Sequence, residues 1–300
     1  MKNRAVSLHR LGGPVLAAVV VLTGAGCGGH TGKTTSTGRR PVTSTVSSEA
    51  LHIGVVGGLS FSASGAVADR GSLDQVAADA LVLVPAGGVS DASLRLVARA
   101  HPGSHFAVIG GSARGVRLRN VAGVLLRRDQ AAYLAGLVVG LVAKAGGTQH
   151  PKVTLVGPAA ATLLGAFRHG VRVAFAGADA TGASSSADPA ACKEAALAAV
   201  DEGAVAIVSS RGPCALGALS GATEQHIVGQ SLADFEVRGA IASAIVRAAL
   251  QGVYYGREDL NYGWRAGAVG IVRLDPLIPS GVAVQARAIA QRLAEGLSPS

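Results

Sequence analysis

Aromatic side chains are scarce in this chain of 300 residues. Phe, Trp and Tyr together make up 3% of it, and Trp264 is its single tryptophan. Proteins that bind single-stranded nucleic acids need aromatic platforms interleaved with basic side chains. The Lys and Arg residues are scattered rather than striped, so the formal net charge of +9 does not indicate a nucleic-acid partner. This basicity is compatible with an anionic membrane surface.

The sequence also lacks the common signatures of catalytic and cofactor sites. It contains no G-x-S-x-G nucleophile elbow, and residues 57–60 (Gly-Gly-Leu-Ser) do not form a dinucleotide fingerprint. A GHTGKT segment resembles a phosphate-binding loop, but Cys27 stands where that loop needs its first glycine. The histidines show no metal-ligand spacing with one another or with the three cysteines. We therefore predict that the protein is not an enzyme and holds neither a cofactor nor a metal.

The first 27 residues predict a lipoprotein signal peptide. Basic residues within 1–10 precede an uncharged apolar run over 14–25, which is shorter than the about 20 residues that span a bilayer. The run ends in Leu-Thr-Gly-Ala-Gly-Cys, which resembles a lipobox and predicts Cys27 as the lipidated, palmitate-bearing residue. Gly24 replaces the usual large aliphatic residue, so ordinary cleavage to a secreted protein stays open. With lipidation, we expect an anchor in the cell membrane, on its extracytoplasmic face.

Residues 28–50 consist mainly of Ser, Thr and Gly. Such a segment buries too little apolar surface to offset its ordering entropy, so it predicts a disordered tether. The remaining chain is long enough for two lobes of ordinary domain size.

From Leu51 onward, short apolar runs alternate with longer amphipathic segments. This pattern is typical of α/β proteins, in which crossover helices bury parallel strands on both faces. The predicted strands cover Leu51–Val56, Ala80–Val84, His105–Ile109, Ala122–Leu126, Lys152–Val156, Ala204–Val208 and His226–Val228. The predicted helices cover Ser90–Ala100, Gln130–Ala145, Ala160–Ala176, Pro189–Glu202, Cys214–Thr223 and Arg238–Gln251.

Several predicted strands end in glycine or serine clusters. In open parallel sheets, ligands bind beyond the carboxyl ends of the strands, so a site is expected in these loops. The candidate ligand contacts are Ser60, Phe61, Gly87, Gly110, Gly111, Arg211, Gly217 and Asp234. Phe61 could stack on a ring, although a lone Phe belongs more often to a core. Arg211 could fork onto a carboxylate or phosphate, although a solvated surface arginine fits equally well.

Two of the cysteines lie in the second half of the chain. Cys192 and Cys214 occupy the starts of consecutive predicted helices, at the same rim of the predicted sheet. An exported protein meets an oxidising compartment, so a disulfide between them is reasonable. Two small buried thiols are the alternative.

Residues from about Val121 to Leu297 resemble the basic membrane protein (PnrA-like) family. The resemblance is carried by several segments whose order and spacing agree with that family. They are Ala131–Gly136, Val153–Gly157, Phe167–Gly170, Lys193–Val208, Ala215–Leu219, Gly267–Ile271 and the last helix up to Gly296. Members of this family are lipoproteins that supply ABC transporters of purine nucleosides. The resemblance implies a type I periplasmic binding protein fold, with two Rossmann-like lobes that close over a small ligand.

The implied first lobe covers residues 51–148, with part of 238–272 returning to it. The implied second lobe covers 149–237 with the C-terminal segment 273–300. The first lobe is shortened, because the chain passes from Gly57 to the segment starting at Leu73 in too few residues. We expect one helix and one strand to be missing there.

The family's sugar-binding carboxylates are absent from the corresponding positions. Gly110, Ser231 and Ala233 stand there instead, and Asp234 is one position away from compensating. The sequence thus predicts a monomeric solute-binding lipoprotein, with a nucleoside-like small molecule and an ABC permease as partners. The shortened lobe keeps open a non-transporting envelope sensor or interaction lipoprotein with a decayed ligand site.

Overall fold

The computed structural model describes residues 50–159, 161–183 and 186–299. The predicted signal peptide, the lipidation site Cys27 and residues 28–49 of the predicted tether lie outside this part of the chain. The described residues belong to one compact unit. None of their helices is both long enough and apolar enough to span a bilayer.

The described chain forms two parallel sheets flanked by helices. The strands are β1 Leu51–Val56, β2 Ala66–Gly71, β3 Leu81–Pro85, β4 His105–Ile109, β5 Val121–Leu126, β6 Lys152–Val156, β7 Asp179–Ala183, β8 Ala204–Ser209, β9 Val228–Ser231 and β10 Asp259–Tyr262. The helices are α1 Leu73–Val76, α2 Asp91–Ala100, α3 Arg128–Ala145, α4 Ala161–Ala174, α5 Pro189–Asp201, α6 Pro213–Glu224, α7 Arg238–Leu250 and α8 Ser280–Ala294.

The first sheet has six strands in the order β10-β5-β4-β3-β1-β2, all paired in parallel. Helix α7 covers one face through Ile241, Ile245 and Val246, which pack on the central strands. Helices α1 and α2 cover the other face. Burial on both sides explains why the central strands consist mostly of apolar residues.

The prediction that the first lobe lacks a strand was wrong. Strand β2 pairs in parallel with β1 along its whole length, from Leu51↔Ala66 to Val56↔Gly71. The helix that normally joins two parallel strands is absent, and residues 57–65 make the connection as a loop. Strand β2 escaped the sequence pattern because it is an edge strand with exposed and charged residues, such as Arg70.

The second sheet has four strands in the order β7-β6-β8-β9, again parallel. Helices α3, α4 and α8 pack on one face around Phe167 and Val208. Helices α5 and α6 pack on the other. A disulfide joins Cys192 of α5 to Cys214 of α6, with a Cα–Cα distance of 5.3 Å. Strand β9 starts at Val228 rather than at His226, because His226 adopts a turn conformation with φ of 54°.

Three chain segments connect the two sheets. The first runs from β5 into α3, where the Arg127 N–H donates to the Tyr262 carbonyl at 2.8 Å. The other two run side by side: the Val237 N–H donates to the Ala268 carbonyl at 2.9 Å, and Glu236 forms an antiparallel bridge with Val269. We call the paired segments 235–237 and 268–270 the linking ribbon. Through it the chain passes from β9 to α7 and later returns to α8.

Candidate functional site

A cleft of about 180 Å³ opens where several strands of the two sheets end. We call it the strand-end cleft. Its lining residues follow the carboxyl ends of β5, β6, β8 and β9, the edge at which open parallel sheets bind ligands. They are Arg128, Ala131, Pro158, Leu163, Ser210, Arg211, Leu232 and Glu236.

Glu236 is the most unusual residue of the cleft. It belongs to the linking ribbon, and its side chain is only 2% exposed. Neither carboxylate oxygen accepts a hydrogen bond from the described residues. Arg211 Nε lies 3.3 Å from Oε2 and Arg238 Nη2 lies 3.7 Å from it, so the contacts are ion pairs without hydrogen-bond geometry.

Burial raises the pKa of Glu236 from 4.5 to about 7, against the opposing attraction of Arg128. Removal from water disfavours the charged form of a carboxyl group, and here this effect outweighs the attraction of the Arg128 guanidinium group. The carboxyl group can therefore change its charge near neutral pH.

Ser210 adds a second buried polar group to the cleft. It directly follows β8, and its hydroxyl oxygen has no hydrogen-bond partner among the described residues. Its N–H donates to the Val156 carbonyl at 2.8 Å, which fixes the loop against β6. Buried polar groups are nearly always hydrogen-bonded. Two buried polar groups without partners in one cleft are therefore typical of a ligand-binding site.

Three helices begin beside the cleft. Arg128 opens the 18-residue helix α3, α4 begins at Ala161 shortly after Pro158, and α6 begins at Pro213 shortly after Arg211. Neither α4 nor α6 has an acidic residue in its first turn. The positive ends of these helix dipoles favour negative charge nearby.

Of the predicted contacts, Arg211 lines the cleft. Its side chain is 24% exposed, which separates it from a freely solvated arginine.

Ser60 and Phe61 lie in the loop after β1, which rests on α7. Phe61 packs against the core beneath α7, and the adjacent Ser62 N–H donates to Ser243 Oγ at 2.9 Å.

The candidate glycines of the first sheet lie in the turns that follow its strands. Gly87 and Gly110 have φ values of 77° and 84°, a region that side chains rarely adopt. Gly111 lies against Ala86, where an added Cβ would come within 2.9 Å of the alanine methyl group. None of the three lines the strand-end cleft, so their role as ligand contacts stays a prediction.

The structure gives Gly217 and Asp234 packing and anchoring roles. Gly217 lies inside α6, where an added Cβ would collide with the Pro189 carbonyl of α5. Asp234 is buried and accepts hydrogen bonds from Gln230 Nε2 at 2.8 Å and from Arg273 Nε at 3.1 Å. It thereby holds the segment before α8 against the end of β9. Neither residue lines the strand-end cleft.

Sequence reasoning missed Glu236, Ser210 and Arg128 as site residues. Ser210 and Arg128 each stand two positions after the end of a predicted strand, so the strand-end rule could have found them. Glu236 has no such signal, because its importance depends on burial within the linking ribbon.

A second groove lies on the other side of the first turn of α3. Tyr133, His169 and Trp264 line it, with ring centroids 5.3 Å apart for Tyr133–His169 and 6.0 Å apart for Tyr133–Trp264. None of the described residues that line the strand-end cleft is aromatic. The aromatic contacts near α3 therefore lie outside that cleft.

Solved structures with a similar fold include solute-binding proteins and a transcriptional activator. A solute-binding protein of an ABC transporter system from Conexibacter woesei is 19% identical, with a TM-score of 0.56 over 82% of this chain and 97% of its own. Its counterpart from Aeropyrum pernix is 14% identical, with a TM-score of 0.52 over 82% and 92%. A transcriptional activator of the comK gene from Bacillus halodurans is 13% identical, with a TM-score of 0.57 over 83% and 100%.

This chain has a periplasmic binding protein fold. At these identities the likeness shows the fold alone, and the fold serves both transport proteins and a regulator. No protein-family model matches the chain, and no curated protein matches it. The predicted α/β architecture with parallel sheets is confirmed, whereas membership of the basic membrane protein family stays a prediction.

Proposed function

We propose that this protein is a solute-binding lipoprotein of an ABC transporter. It holds a small molecule in the strand-end cleft and delivers it to a membrane permease. The observation that carries the proposal is the pair of buried, unpartnered polar groups in that cleft, the Ser210 hydroxyl and the Glu236 carboxyl. An unsatisfied buried polar group costs about 1–3 kcal/mol, so a ligand that hydrogen-bonds to both groups recovers this energy.

The position of the cleft supports the proposal. Its walls come from strand ends and from the linking ribbon, so a bound molecule contacts the segment that joins the two sheets. The solute-binding proteins named above share the fold. The signal-peptide pattern and the lipobox-like cysteine support an anchor through Cys27 on the extracytoplasmic face of the cell membrane, where we propose that the protein acts as a monomer.

The test is a ligand screen on the full-length protein in a mild non-ionic detergent. Thermal unfolding is followed by the fluorescence of Trp264 in the presence of nucleosides, bases, sugars, amino acids and organic acids. Because a ligand that binds only the folded state raises the melting temperature, one solute class should produce a clear shift. The Ser210→Ala/Glu236→Gln double variant should lose that shift, while Arg287→Ala, at an exposed position of α8, should keep it.

The absence of any shift from a folded sample would contradict the proposal. It would favour the alternative of an envelope sensor or interaction lipoprotein that binds no small molecule. Two observations motivate this alternative: the helix between β1 and β2 is missing, and none of the first-sheet candidate residues lines the cleft.

A further inference from the structure

Positive charge exceeds negative charge around the strand-end cleft. Arg128 and Arg211 line it, and Arg238 lies behind Glu236, so three guanidinium groups face one carboxyl group. A neutral solute would leave this excess uncompensated. An anionic group on the ligand would balance the excess positive charge, and guanidinium groups bind carboxylates and phosphates in a bidentate geometry.

The two lining arginines have free donors. Arg211 Nε lies 3.3 Å from Glu236 Oε2, and the Arg211 Nη groups donate no hydrogen bond to the residues that the structure describes. Arg128 is exposed and forms no ion pair within the described chain. The first turns of α3, α4 and α6 converge on the same side and add their dipoles.

The ligand must also donate hydrogen bonds. The unpartnered Glu236 oxygens accept them, and the Ser210 hydroxyl can either accept or donate. A hydroxyl or amino group next to the acidic group would reach Glu236 while the acid contacts the arginines. The cleft volume of about 180 Å³ is below the roughly 300–1,000 Å³ of drug-sized pockets, and its lining offers no aromatic face for a base.

We infer that the solute is a small acid whose carboxylate or phosphate binds Arg128 and Arg211 and whose neighbouring hydroxyl or amino group donates to Glu236. This inference rests on the proposed function and names its ligand class. Hydroxy acids, amino acids and small phosphate monoesters of polyols share this chemistry.

Calorimetric titration of the full-length protein tests the inference. The probes are glycerate, serine and glycerol phosphate. The comparison compounds each lack one of the two features: propionate has no hydroxyl or amino group, and glycerol, ribose and adenosine have no acidic group. At least one of the first three should bind tenfold or more tightly than every comparison compound. Glycerate or serine as the best probe would identify a carboxylate ligand, and glycerol phosphate would identify a phosphate ligand.

Three substitutions separate the roles of the side chains. Arg128→Gln, at an exposed position, should weaken binding of the best probe at least tenfold, and Arg211→Gln should do the same. Glu236→Gln should weaken the binding of the best probe. It should leave the affinity for propionate unchanged or raise it, because propionate donates no hydrogen bond to Glu236. Arg287→Gln on α8 should change none of these affinities.

The inference and the proposed function fail in different ways. Tight binding of ribose or adenosine that Arg128→Gln leaves unchanged would overturn the inference, while the proposed function would stand. No binding of any probe or comparison compound by a folded sample would overturn both.

Discussion

At the scale of single residues, Glu236 connects the site to the fold. It belongs to the linking ribbon through its bridge to Val269, it lines the cleft, and its carboxyl group lies beside Arg211. A buried ion pair can cost more in desolvation than its attraction returns, and here the raised pKa shows that desolvation dominates. Retaining such a group is reasonable when a ligand supplies its missing hydrogen bonds.

The pH dependence of stability provides a direct test of this environment. The folded-state pKa of Glu236 is about 7 and its ordinary value is 4.5, so the folded protein binds this proton more tightly than the unfolded protein. The contribution to the free energy of unfolding is therefore complete below pH 4.5 and is lost as the pH rises to about 7. It amounts to at most about 3 kcal/mol at 1.36 kcal/mol per pKa unit.

Urea unfolding of the wild type and of Glu236→Gln at pH values from 4.5 to 8 measures this contribution. The substituted glutamine side chain does not titrate, so the stability of the variant relative to the wild type should rise across the interval and then level off. Two stability curves that run parallel from pH 4.5 to 8 would contradict a raised pKa.

At the scale of elements, the contact between α3 and α4 depends on glycine. An added Cβ on Gly170 would collide with the Tyr133 carbonyl, and one on Gly136 would collide with the Phe167 carbonyl. The two backbones therefore approach more closely than side chains would permit. This contact places the first turn of α3, with Arg128, beside the cleft.

A pair of glycine substitutions in α4 tests this packing. Gly170→Ala should lower the free energy of unfolding by about 1–3 kcal/mol, because the helices must separate. Gly165→Ala is the matched control: nothing lies within 4 Å of its added Cβ, so the better helix propensity of Ala should raise stability by up to about 1 kcal/mol. Denaturant unfolding of both variants measures the contrast, and equal effects would contradict the close approach.

The disulfide between α5 and α6 is a second feature that stabilises the packing of two helices. It closes a loop with a sequence separation of 22 residues, which predicts about 3 kcal/mol of stabilisation under the chain-entropy model. Reduction, or the Cys192→Ala/Cys214→Ala double variant, should lower the free energy of unfolding by about this amount. A reducing agent should leave the double variant unaffected, and a wild type equally stable with and without reductant would contradict the prediction.

At the scale of the whole molecule, the proposed membrane anchor can be tested by cell fractionation. The full-length chain, produced in a bacterium that lipidates exported proteins, should be found in the membrane fraction. Cys27→Ser should move it out of that fraction, because a lipobox without its cysteine cannot be acylated. Mass spectrometry of the membrane-bound form should find an acyl mass on Cys27, and a mature chain that starts elsewhere without that mass would contradict the anchor.

The strand order within the two sheets shows which strands can be predicted from a sequence pattern. Each of the seven predicted strands corresponds to a strand of the structure, because most of them are central and their residues are apolar on both faces. The three missed strands, β2, β7 and β10, are all edge strands. An edge strand has one neighbour and more exposed residues, so its hydropathy resembles that of a loop.

The residues of the site also differ in how well the sequence predicts their roles. Arg211 could be predicted because it follows a buried strand, and the strand-end rule applies to any parallel sheet. Asp234 lies near a family position, but the structure pairs it with Arg273, 39 residues further along the chain. Asp234 belongs to a short 3-10 helix over Leu232–Phe235, whereas Glu236 belongs to the linking ribbon. Their side chains therefore have different neighbours: Asp234 anchors a segment and Glu236 lines the cleft.

The amino-acid sequence alone is enough to predict the α/β class, the positions of the central strands and helices, and the edge of the sheets where a site is expected. These features follow from local hydrophobic periodicity and from turn residues, which neighbouring positions encode. The three-dimensional structure is needed to show that Glu236 and Ser210 are buried without partners among the described residues, that Arg128 and Arg211 share one cleft, and that Gly217 and Asp234 serve packing and anchoring. Burial and charge pairing arise from segments far apart in the chain, so they exist only once the two sheets are joined.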